Sequence, residues 1–148
     1  MSVSSFEAYK TFVFDCDGVI LDSNKVKTEA FHSVALPYGE AAAAELVKYH
    51  TQNGGISRYE KFRYFLSDIS GSQVSEKALE NLLSMFAETV TEGLMACRVA
   101  PGLQALKKSS PEIPWMVVSG GDQKELRQVF KKRGLDQMFS HGIFGSPD

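Results

Sequence analysis

The chain has 148 residues, 43% of them apolar and 23% charged, and a net charge of −2 at pH 7. This suits one ordinary globular domain, or a small one carrying an insertion, rather than a disordered protein; without a basic excess, neither nucleic acid nor an anionic membrane is expected as a partner. Two cysteines without a CxxC make neither a disulfide framework nor a zinc pattern, and neither a signal peptide nor an apolar run of roughly 18 residues is visible, so a cytoplasmic protein is expected.

Residues 10–14, "KTFVF", predict a short buried strand: they are aromatic and β-branched and are stopped by Asp and Gly. The apolar period then lengthens. Val26, Ala30 and Val34 predict a helix that Asp22 or Ser23 is placed to cap, and capping is the role expected of Asp22. "PYG" at 37–39 breaks it, "EAAAAELVKYH" at 40–50 is a helix on propensity, and "TQNGG" at 51–55 is a loop. "SRYE" at 57–60 matches a capping box ahead of an apolar stripe of Tyr59, Phe62, Phe65, Leu66 and Ile69. After "SGSQ" at 70–73, residues 75–96 are the longest periodic segment, with Leu79, Leu82, Leu83, Phe86, Val90 and Leu94 on one face. Pro101 and Gly102 open a short helix through Lys108, and "IPWMVV" at 113–118 predicts a second buried strand. "SGG" follows, then Asp122 as a cap, a helix with Leu126, Val129 and Phe130 inward, Gly134 as its stop, and a third short strand at 141–145.

Strand, helical block, helix, strand, helix, strand is the order of a parallel α/β sheet with right-handed crossovers. The helical block falls in the connection after the first strand. Ligands of such sheets bind beyond the carboxyl ends of the strands. Asp15 and Asp17 end the first predicted strand, and Ser119, Gly120 and Gly121 end the second. If the two strands are neighbours, both motifs face one site.

Two carboxylates this close repel each other unless a cation or proton relieves them. Mg2+ prefers oxygen ligands and is often held by one or two carboxylates plus a substrate phosphate. One carboxylate can attack phosphorus to form an aspartyl phosphate, while the other protonates the leaving oxygen and later takes a proton from water. A serine and flexible glycines before a helix N-terminus suit phosphoryl oxygens.

At these residues the chain resembles the haloacid dehalogenase-like hydrolases. "FDCDGVILDS" matches that family's first motif, with the acidic-Ser pair of its phosphoglycolate-phosphatase-like branch, and "WMVVSGG" matches the second. "VAPGLQALKK" resembles the segment that re-enters the core after the cap. The resemblance implies a Rossmann-like catalytic core of residues 1–22 and 98–148, with an α-helical cap inserted at 23–97. It implies a Mg2+-dependent phosphatase acting on a small phosphorylated metabolite. Asp15 would be nucleophile and metal ligand, and Asp17 general acid/base, giving the metal its carbonyl. Ser119 would bind the phosphoryl group, helped by the Gly120 amide. Aspartate at 17 argues against the dehalogenases and phosphonatases of the family.

The family also uses a lysine after a third strand, close to a "GSPD"-like turn, and an acidic pair after a fourth strand. This sequence stops at "GIFGSPD", and Lys107 and Lys108 precede the second motif. It looks like the front two-thirds of such an enzyme, with an incomplete core, so weak or no activity is expected of it alone. A shortened sheet would also expose an edge and apolar surface that invite self-association. The alternatives are a phosphosugar mutase of the same fold, or a non-catalytic phosphate-binding or interaction domain. A response-regulator receiver would need a phosphoacceptor Asp on a middle strand, where residues 40–70 read as helix and loop.

Plainer roles compete at each position. Asp-x-Asp-Gly is also a turn sequence, and Ser119 could be a loop serine. "NGGISRYEK" could present Arg58 and Lys61 to an anionic substrate, or only start a helix with solvated basic residues. Lys27 stands where mutases of this branch often carry a histidine, and is a substrate contact or an exposed lysine. His32, His50 and His141 share no ligand spacing and read as structural or exposed. Cys16 reads as packed, and the aromatic stripe as cap core.

Overall fold

The apolar run after Lys10 forms strand β1 (Phe12–Phe14) in the computed structural model, which describes residues 8–146. It pairs in parallel with β2 (Trp115–Asp122), and β2 with β3 (Ile143–Ser146), in the order β1-β2-β3. Phe12 lies opposite Trp115 and Phe14 opposite Val117, while Val117 lies opposite Ile143. Side chains alternate between sheet faces, so Phe12, Phe14, Trp115, Val117 and Ile143 share one face. The Phe14 and Trp115 rings lie 4.7 Å apart there, with Phe139 closing the cluster.

Both crossovers advance the same way across the sheet, so right-handedness puts both connecting helices on this one face. Helix α5 (Leu103–Ser109) sends Lys107 over the Trp115 ring, with its ammonium donating to the Ile113 carbonyl at 2.8 Å. Helix α6 (Gln123–Lys132) buries Leu126, Val129 and Phe130, and Phe130 meets Phe139. The opposite face carries Val13, Val118 and Phe144, which are 62%, 49% and 40% exposed. Parallel sheets are usually buried on both faces, and here this strip is apolar surface left exposed among the described residues.

The chain separates into two units: the residues up to Asp22 with those from Cys97 onward, and Ser23–Ala96. The first unit contains the sheet. The second is helical, with α1 (Asn24–Ala35), α2 (Glu40–Gln52), α3 (Arg58–Tyr64) and α4 (Glu76–Ala96). Its core includes a ring cluster of Phe31, Phe62 and Phe86, with Phe31 and Phe86 4.3 Å apart. On α4, a methyl added at Gly93 would collide with Val26 of α1. Val26 is β-branched and stiff on a helix. Gly93→Ala is therefore expected to destabilise the protein by about 1–2 kcal/mol, overpacking outweighing the gain in helix propensity. Val26→Ala should recover most of that loss, which urea midpoints of the single and double variants would check.

The local signals that shape these elements are visible in detail. Ser57 Oγ accepts from the Glu60 amide at the start of α3, and Asp122 Oδ1 from the Glu125 amide at the start of α6. Gly134, at φ 67°, ends α6 in a Schellman arrangement: the Leu135 amide donates to the Phe130 carbonyl and the Gly134 amide to the Lys131 carbonyl.

Several expectations need correction. Ser23, not Asp22, is the N-cap residue of α1, and it makes no side-chain capping bond. Asp22 is instead extended by the returning chain, its amide donating to the Arg98 carbonyl at 2.9 Å. Thr51 and Gln52 continue α2, so the loop begins at Asn53. The stripe after Ser57 does not stay α-helical: Phe65–Ile69 forms a π turn closed by the Ser70 amide on the Phe65 carbonyl. Leu83 is only half-buried, because the face of α4 follows Leu79, Leu82, Phe86, Val90 and Leu94. Residues 1–7, and Pro147 and Asp148 of the expected "GSPD" turn, lie outside the described residues. Among the described residues no helix is long and apolar enough to cross a membrane.

Candidate functional site

Two segments meet the carboxyl end of the sheet. The first leaves β1 at Asp15 and turns tightly. The carbonyl of fully buried Cys16 accepts from the amides of Val19, Ile20 and Leu21 at 3.2, 3.0 and 3.1 Å, and Gly18 takes φ 74°. A side chain is disfavoured at such a φ, which is the physical reason for glycine directly after Asp17. Asp15 is exposed, and its Oδ1 accepts from the Cys16 amide at 2.7 Å. Asp17 is half-buried within the turn.

The second segment is an arch in β2. Val118 pairs with Phe144 and Asp122 with Ser146, so four residue steps on β2 span two on β3. Ser119, Gly120 and Gly121 bow out of the ladder, and β2 resumes at Asp122 rather than ending at Val118 as the sequence predicts. Ser119 is buried, and its Oγ accepts from the Gly121 amide at 3.1 Å. That bond leaves the hydroxyl hydrogen available for an incoming acceptor.

The register relates the two segments. Phe14 is level with Val117, so Asp15 leaves β1 where β2 begins its arch one residue further on. Asp15, Asp17, Ser119 and Gly120 thus belong to one unit, at the same end of adjacent parallel strands. Clefts of about 550 and about 240 Å³ on this unit are lined by other residues, the smaller by Gly18–Asp22 neighbours and residues 98–101. Neither includes Asp15 or Ser119 in its lining.

Gly145 of β3 braces the arch. Its amide donates to Gln123 Oε1, and an added methyl would strike the Gly121 carbonyl and lie 2.8 Å from backbone atoms of Gln123. At Gly120 an added methyl would meet nothing within 4 Å. Gly145→Ala should cost about 1–3 kcal/mol, while Gly120→Ala should change stability by no more than about 0.5 kcal/mol. Urea unfolding of the two variants side by side checks this contrast, and equal midpoints would contradict the bracing role.

Lys27 and Arg58 belong to the helical unit. Lys27 is half-buried on α1, and Arg58 opens α3 with its guanidinium 4.7 Å above the Phe86 ring. Sequence reasoning missed the environment of Lys61. It is 2% exposed rather than solvated, and its ammonium meets Nδ1 of His50 at 3.0 Å. A signal was present: Lys61 falls on the same helical face as Phe62, Phe65 and Leu66. Burial, then the charges of Lys61 and Lys27, push the His50 pKa from 6.5 down to about 4. Burial and Lys27 also lower the pKa of Lys61. His32 is paired with Glu40 at 2.9 Å, and His141 is exposed.

Among the described residues no group of three or more His, Cys, Asp and Glu side chains is gathered for a metal. The donors at the strand end are the carboxylates of Asp15 and Asp17. That hard-oxygen set suits a Mg2+ ion that keeps several waters and takes further oxygens from a substrate phosphate.

A family model described as haloacid dehalogenase-like hydrolase matches residues 9–148. Among solved structures, a protein from Haemophilus somnus named as a phosphoglycolate phosphatase is 18% identical, with a TM-score of 0.65 over 93% of this chain and 62% of its own. One from Thermotoga maritima named as a β-phosphoglucomutase is 21% identical, with a TM-score of 0.61 over 93% of this chain and 61% of its own. A family IA hydrolase from Entamoeba histolytica is 15% identical, with a TM-score of 0.65 over 92% and 61%. At these identities the likeness is one of fold, that of an α/β Rossmann-like sheet. The chain spans about three-fifths of the length of these proteins. No curated protein matches the sequence.

Proposed function

The chain belongs to the haloacid dehalogenase-like hydrolases, and from that premise we propose that it is a Mg2+-dependent phosphomonoesterase acting on a small phosphorylated metabolite. In this reading the sheet-bearing unit is the catalytic core and the helical unit its cap. The observation that supports it best is the β1–β2 register, which sets Asp15 beside the Ser119–Gly121 arch.

The Asp15 carboxylate forms a bond to phosphorus as the bond from phosphorus to the leaving oxygen breaks. Asp17 gives that oxygen its proton. Asp17 then takes a proton from water as the water attacks the aspartyl phosphate, which frees inorganic phosphate and restores Asp15. Ser119 Oγ–H and the Gly120 amide donate to the phosphoryl oxygens. Asp15, through its carboxylate, and Asp17, through its carbonyl, would hold Mg2+. When bound, the ion offsets the repulsion between carboxylates and phosphate. Lys27 and Arg58 carry charge suited to an anionic part of the substrate.

Phosphate release from an aryl phosphate, measured with and without Mg2+, tests the proposal. Release should require the metal. Ser119→Ala should lower kcat/KM by about 10- to 100-fold, the worth of a hydrogen bond to a charged group. Equal rates for the two proteins would remove Ser119 from the site. A phosphosugar mutase would instead return the phosphoryl group to its sugar and release little phosphate to water.

A further inference from the structure

The larger cleft of the sheet-bearing unit, about 550 Å³, lies between α5 and the segment that follows α6. That is the size of a small-molecule site, which is typically apolar with a few placed polar groups. Its walls include Leu103 and Leu135, each 7% exposed, and Met138. Two of its lining side chains are polar, Gln104 and Lys108. They stand four residues apart on α5 and so share one face of that helix. Among the described residues neither side chain makes a hydrogen bond or an ion pair. Their neighbour Lys107 is the contrast, its ammonium committed to the Ile113 carbonyl and the Trp115 ring.

Helices α5 and α6 each lead into a strand of one parallel sheet, so both end at the amino ends of the strands. The last turns of both are basic, Lys107 and Lys108 on α5 and Lys131 and Lys132 on α6. Neither neighbouring acid, Glu112 nor Asp136, lines the cleft. An apolar cavity that carries one cation and one amide is complementary to a monoanion with an apolar body; a phosphate dianion would bring a second charge that the lining does not match. We propose that this cleft binds a small amphipathic carboxylate. The Lys108 ammonium and the Gln104 amide each donate to a carboxylate oxygen, and the apolar body lies against Leu103, Leu135 and Met138. Neither Asp15 nor Ser119 lines the cleft, so the inference stands whether or not the strand end hydrolyses phosphate.

The test titrates 2-naphthoate into the full chain, labelled at the methionine methyl groups, at fixed pH and ionic strength. The expected result is a saturable ring-current shift of the Met138 methyl, absent from Met85 and Met95, which are exposed on the helical unit. Lys108→Leu should weaken binding at least about fivefold, and neutral 2-naphthylmethanol should bind the native chain as weakly. Ala105→Trp, which fills the cleft, should abolish the shift, and Ser119→Ala should leave it unchanged. Lys108 and Ala105 are exposed, so both variants should fold. The absence of a saturable Met138 shift overturns the proposal, as does an equal shift at Met85 and Met95, which marks general adsorption to apolar surface. An unchanged affinity in Lys108→Leu, or equal binding of the neutral probe, overturns recognition of the carboxylate. A shift that survives in Ala105→Trp, or is lost in Ser119→Ala, overturns the placement in this cleft.

Discussion

Asp15→Asn should reduce Mg2+-dependent phosphate release at least about 10³-fold, to the background of the uncatalysed reaction. An amide oxygen is a poor nucleophile for phosphorus and a weaker ligand for a hard cation. The substitution spares the fold. Asp15 is exposed, and the hydrogen bond that the Cys16 amide donates to its Oδ1 can be accepted equally by an asparagine oxygen. Stability should therefore change by no more than about 0.5 kcal/mol. Full activity in a folded Asp15→Asn protein would show that Asp15 is not the attacking group.

Acid should destabilise the protein through His50. Its folded pKa is about 4, against 6.5 for the free side chain, because it is buried next to the ammonium groups of Lys61 and Lys27. A histidine with a lowered folded pKa contributes stability that is fully present above 6.5 and is lost as pH falls toward 4. The lowered pKa of Lys61 has the same sign, its contribution fading as pH falls from the alkaline side. The His50 contribution amounts to at most about 3 kcal/mol. His50→Gln should remove that part of the slope between pH 6.5 and 4, while the slope due to carboxylates remains. Urea midpoints against pH, in buffers free of phosphate and carboxylates, measure the difference between the two proteins. Parallel curves would contradict the assignment.

What the sequence makes legible is what depends on near neighbours. The Ser57 and Asp122 caps, the Gly134 stop and the buried face of α4 each arise within one or two turns of chain, and a single sequence carries them. Asp15 after an apolar strand, and glycine after Asp17, are legible for the same reason. The arch is not. Ser119–Gly121 bow out because β3 pairs again at Asp122, and that pairing involves residues more than twenty positions away. The Lys61–His50 contact likewise joins α3 to α2 across eleven residues with no local period. The place of Asp22 is not legible either, because its amide partner, the Arg98 carbonyl, returns only after the whole helical unit.

The central claim is that Asp15 takes the phosphoryl group. The most direct measurement needs no completed turnover: incubate the chain with Mg2+ and an aryl phosphate, quench in acid, and map phosphorylation by peptide mass. The account predicts one phosphoryl group on the peptide carrying Asp15, absent without Mg2+ and absent in Asp15→Asn. Phosphate released with no phosphorylated peptide, or a phosphoryl group found on another residue, would contradict it.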